Sequence, residues 1–111
     1  MTLTSIQQLM KENEVSLIRE RRSADRKPFV RPIVIATGRN HDTLQDAFSR
    51  DISSNGMGIV TSTEWTVGTR AVLTIHSLSK HTVRVSAEVR WCQEYGSGWY
   101  LSGWNFLGEN T

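Results

Sequence analysis

One cysteine in the whole chain, Cys92, excludes an internal disulfide, so no covalent staple helps this fold. Cys92 and the three histidines, His41, His76 and His81, show none of the spacings of a tetrahedral metal site. No apolar run approaches the roughly 20 residues of a membrane-spanning helix. Met1–Lys11 is polar and lacks the apolar stretch of a secretion signal. These absences point to a cytoplasmic protein of bacterial type that does not enter a membrane. Charge is nearly balanced as well: the net value is +2 and the pI about 9.0, too mild to imply nucleic acid. Signatures of catalysis are missing. Ser53 has no nucleophile elbow around it and no histidine placed as a base. Gly56-Met57-Gly58 lacks the further glycine and the lysine of a phosphate loop. Neither enzymatic activity nor a cofactor is expected.

What is present is enough apolar material, 38% of the 111 residues with four tryptophans, for one modest core. Ile6, Leu9 and Met10 recur at helical spacing, with Leu17 and Ile18 continuing a thin stripe, and Thr4 or Ser5 is available as a cap. A helical appendage over 1–20 follows, docked on its own domain or serving as an output element. After a loop at 21–28, six short strands are expected: Phe29–Ala36, Ala47–Ser53, Met57–Thr61, Arg70–His76, Thr82–Trp91 and Trp99–Phe106. Thr82–Trp91 has the clearest period of two, with Val83, Val85, Ala87, Val89 and Trp91 on one face. In Ala47–Ser53, Phe48 and Ile52 are assigned to the core, and Ala47, Ser49, Asp51 and Ser53 to the opposite face. Ser54-Asn55-Gly56 reads as a turn with positive φ at Asn55 or Gly56. Trp91 and Trp104 are read as core, and residues 107–111 as a disordered tail. Short strands joined by turns, with no helix between them, predict an all-β fold, a six-stranded antiparallel barrel over 21–106.

Charge is concentrated in one place. Arg19, Arg21, Arg22, Arg26, Lys27 and Arg31 against Glu20 and Asp25 leave a local +4 just before the first strand. Arginine dominates, and its planar fork binds phosphate through two parallel hydrogen bonds and stacks on flat rings. A second cluster is Asp51-x-Ser53-x-x-Gly56. Asp51 and Ser53 leave a strand on the same face, and Gly56 leaves the backbone open to a ligand. Guanidinium suits phosphate oxygens and the O6/N7 edge of guanine, while carboxylate suits its N1–H and N2–H donors. The pair of clusters fits a guanine nucleotide better than adenine or a bare anion.

The order Arg21-Arg22-x-x-x-Arg26, a strand, then Asp51-Ile-Ser53-Ser-Asn-Gly56-Met-Gly-Ile resembles the PilZ domain family, bacterial receptors for the second messenger cyclic di-GMP. Gly68–Leu73, Val85–Trp91 and Gly103–Phe106 resemble the family's later strands. The resemblance implies a split-barrel fold. It also implies that Arg22 and Arg26 hold phosphates and guanines, that Asp51 and Ser53 contact a guanine edge and the arm's backbone, and that Gly56 leaves room. The helix that often follows the family's last strand has no counterpart in the pattern after Phe106. Arg21 adds a third guanidinium, which favours a stacked ligand dimer and hence two molecules per domain. Ordering of the Arg19–Lys27 arm on the ligand would reposition the N-terminal segment against an unidentified downstream protein. The competing reading is a small barrel that binds single-stranded nucleic acid through arginines and exposed tryptophans. A PilZ fold used only for protein contacts is a third reading, against which the intact motifs argue. Asp51 separates the first two, because removing a negative charge favours polyanion binding.

Overall fold

Alternation of apolar and polar residues, which gives each strand one face for the core and one for solvent, recurs along the whole C-terminal three-quarters of the chain. The computed structural model describes residues 26–79 and 81–109 together with Ile6 and Leu9. Its strands are β1 (Lys27–Pro28), β2 (Pro32–Thr37), β3 (Thr43–Ile52), β4 (Gly56–Thr61), β5 (Arg70–His76), β6 (Thr82–Gly96) and β7 (Trp99–Glu109). All pairings are antiparallel, in the order β1-β3-β2-β5-β6-β7-β4, and a further β3–β4 pairing closes the sheet on itself. Strands β2 to β7 are therefore the expected closed, six-stranded barrel. The two-residue β1 rides on the end of β3, with Lys27 opposite Ile52 and Pro28 opposite Asp51.

Inward residues fill the barrel: Ile33 and Ile35 of β2, Leu73 and Ile75 of β5, Val83, Val85, Ala87 and Val89 of β6, Ile59 of β4 and Trp104 of β7. The Trp104 indole meets the edge of Trp65 at 5.2 Å and 73° and donates to Ser102 Oγ at 2.9 Å. The helical appendage expected over 1–20 lies outside the described residues apart from Ile6 and Leu9. Both of these are completely buried in the same core. They are part of the barrel's packing, so Leu9→Ala is expected to lower stability by about 2–5 kcal/mol in denaturant unfolding. A loss under roughly 0.5 kcal/mol, typical of a surface site, would instead mark a segment that docks elsewhere.

Several expectations require correction. β6 runs on to Gly96 and β7 to Glu109, where Gly108 pairs with Ser86 and Glu109 with Val85, so the chain remains strand well past 106. Phe29–Arg31 is not strand; Phe29 is buried and its amide donates to the Arg50 carbonyl at 2.9 Å. Phe48 is 57% exposed, whereas Ala47, Ser49 and Asp51 are buried beside Ile52. Trp91 is likewise surface, 43% exposed. Both reversals have one cause: the ladder register shifts between Ser49 and Asp51 in β3 and between Val89 and Trp91 in β6. Each bulge adds one residue and swaps the faces on either side of it. The turn at 54–56 also needs no left-handed residue. Among the described residues positive φ occurs at Gly38, His41, Gly68, Gly96 and Gly98.

Candidate ligand-binding site

The two bulges flank one patch of the barrel's outer surface. In β3 the bulge delivers Arg50 and Asp51; in β6 it delivers Arg90 and Trp91. Between them run Gly58 of β4 and Gly103 of β7, which pair with each other. Two facing glycines make a shallow trough. Both are filled from the sides rather than empty: a Cβ on Gly58 would lie 2.9 Å from Asp51 Oδ1, and one on Gly103 would collide with the Trp91 indole. The carboxylate thus lies over one glycine and the indole over the other.

Asp51 is 7% exposed and fully engaged. Its Oδ1 accepts the Gly58 amide at 3.1 Å and a short ion pair from Arg26 Nη1. Its Oδ2 accepts Arg50 Nε and Nη2, both at 2.9 Å. A buried carboxylate needs such partners, since an unpaired charge there carries a penalty of several kcal/mol. The hydrogen bond to Asp51 raises the Arg50 pKa above the ordinary arginine value, and the Tyr95 side chain adds to the effect. The arginines themselves stay about half exposed, so donors remain free for an external acceptor.

Ser53 serves the turn. Its hydroxyl accepts the amides of Asn55 and Gly56, each at 3.2 Å, and its own amide donates to the Gly56 carbonyl at 2.8 Å. Gly56 is glycine for a reason other than ligand access: a Cβ there would run into the Trp104 carbonyl oxygen of the neighbouring strand. Arg26, Ser53, Asn55, Gly56, Trp91 and Asn105 border a cavity of about 130 Å³. The structure therefore brings Arg26, Asp51, Ser53 and Gly56 together, while Arg21 and Arg22 lie outside the described residues. Sequence reasoning missed Arg50, Gly58, Arg90 and Trp91. The one signal for Gly58 was the Gly-x-Gly spacing after the turn.

The PilZ domain family matches residues 20–110. The Bacillus subtilis inhibitor of motility (MotI/DgrA) has a similar structure, with a TM-score of 0.66 at 17% sequence identity, over 84% of this chain and 45% of that one. This chain thus spans less than half the length of that protein. No curated protein matches. No helix among the described residues is long and apolar enough to cross a membrane. A barrel with this strand order, matched along nearly its full length, belongs to the PilZ domain family.

Proposed function

We propose that the protein is a non-catalytic receptor for cyclic di-GMP, the messenger its family binds, and that it works inside the bacterial cytoplasm. The observation that carries this reading is the Arg26–Asp51 pair, which joins the arm to the strand across 25 positions of sequence. A guanidinium held by a carboxylate is aimed, and an aimed fork can read the O6 and N7 acceptors of guanine. Asp51 then acts chiefly through Arg26 and, when an arginine moves off it, through the N1–H and N2–H donors of the base. Ser53 and Gly56 shape the turn beneath the ligand. Trp91, lying across Gly103, offers a flat apolar face on which a purine can stack. Arg21 and Arg22 complete the phosphate contacts from the arm and favour a stacked pair of ligand molecules. Closure of the Arg19–Lys27 arm would alter the segment that carries Ile6 and Leu9, and so the surface offered to a downstream protein.

Isothermal titration tests the reading. Cyclic di-GMP is expected to bind with a stoichiometry near two, and cyclic di-AMP at least about tenfold more weakly, because the guanine O6, N1–H and N2–H groups are lost. Trp91→Ala is expected to weaken binding about tenfold, the value of one base stack. A flat titration overturns the assignment, and a stoichiometry clearly near one overturns the stacked pair. Tight, steeply salt-dependent binding of a single-stranded oligonucleotide in place of the dinucleotide would make the protein a nucleic-acid binder.

A further inference from the structure

Arg26 borders two cavities. The second is a cleft of about 280 Å³ lined by Arg26, Lys27, Pro28, Arg50 and Asp51. Among these described lining residues three side chains are cations and one is a carboxylate, a balance of plus two. Its shape is fixed by the backbone: Lys27 and Pro28 are the residues of β1, held against Ile52 and Asp51. Arg50 is fixed at its Nε edge by Asp51 Oδ2. The carboxylate orients the two arginines and Tyr95 takes a further hydrogen bond from Arg50, which leaves the arginines' other N–H donors and the lysine ammonium as the chemistry the described lining presents. Proline adds no donor and no competing charge.

We propose that this cleft is a phosphodiester seat, and that Arg50 and Lys27 are binding residues within it. The inference rests on the cyclic di-GMP reading and extends it. The ligand straddles Arg26, with a guanine in the cavity beside Trp91 and a phosphate in the cleft between Arg50 and Lys27. One guanidinium then serves both parts of the same molecule, a bidentate use that a lysine cannot supply. Phosphate rather than base is assigned here because the described lining offers charge-assisted donors, and none of its residues is aromatic.

The test compares cyclic di-GMP and uncharged guanosine on the full chain. Arg50→Gln and Lys27→Gln are each expected to weaken cyclic di-GMP about tenfold, the loss of a charge-assisted hydrogen bond, and to flatten its salt dependence. Arg39→Gln, in the β2–β3 connection at the far end of β3, is expected to change neither. Arg50→Lys is expected to fall between wild type and Arg50→Gln. Guanosine, followed by NMR shifts at high concentration, is expected to bind all of these variants alike. Unchanged or tighter cyclic di-GMP binding by Arg50→Gln would overturn the seat. So would an equal loss for guanosine, since Arg50 would then act only by positioning Asp51. Failure of the wild type to bind cyclic di-GMP is a different outcome, which removes the parent reading and the seat with it.

Discussion

Cyclic di-GMP affinity falls about 100-fold or more in Asp51→Ala, the expected result for loss of two hydrogen bonds to a charged group at about 1.5–3 kcal/mol each. The loss has two sources. Arg26 is released from the carboxylate that aims it, and the guanine edge loses its acceptor. Stability should also drop, by about 1–3 kcal/mol, because the buried Gly58 amide is left without its acceptor and two guanidiniums face each other unneutralised. Asp51→Asn separates the two losses. The amide oxygen can still accept from Gly58, so stability is restored in part, but the charge that holds Arg26 and Arg50 is gone and affinity stays low. Titration calorimetry beside denaturant unfolding measures both quantities. An Asp51→Ala protein that binds the messenger normally would show that the arm and the strand do not act on one ligand. One that gains affinity for single-stranded nucleic acid while losing nothing else would reassign the patch as a polyanion surface.

The barrel was legible from patterning because most strands obey a strict period of two. Val83, Val85, Ala87 and Val89 point inward as their spacing requires. Asp51 and Arg26 were legible for a different reason: their chemical types and order recur as a motif, and the fold brings them into contact. What patterning could not show is where the period breaks. Nothing in Ser49-Arg50-Asp51 or Val89-Arg90-Trp91 marks a bulge, since the extra residue in each is an ordinary arginine rather than glycine. The consequence is largest at the candidate site. Strict alternation points Phe48 and Trp91 inward and gives Arg50 and Arg90 nothing to mark them, because a single slipped residue changes which face a side chain takes. Bulges gather beside binding sites for the same reason that they defeat alternation, which is that they re-aim side chains out of the regular face.

Gly56→Ala shows how differently two glycines of one motif can act. The added methyl at Gly56 meets the carbonyl oxygen of Trp104, a backbone atom on the paired strand. That strand cannot retreat easily. The Trp104 indole is buried in the core and bonded to Ser102, and the next amide but one, Phe106, donates to the Asn55 carbonyl at 2.7 Å. Relief therefore requires opening the β4–β7 ladder at the turn, and the expected cost is about 3 kcal/mol, near the upper range for overpacking. In a domain of this size that lowers Tm by roughly 12–24 °C. Gly58→Ala is expected to behave otherwise. Its methyl meets the Asp51 carboxylate, the far end of a side chain that can rotate away. Stability then falls by about 1 kcal/mol, while messenger affinity drops nearly as far as in Asp51→Ala, because the carboxylate leaves its place over the trough. Thermal unfolding and calorimetry on the two variants give opposite patterns if Gly56 serves strand contact and Gly58 serves the site. A Gly56→Ala protein with wild-type Tm and no binding would restore ligand approach as the reason for that glycine.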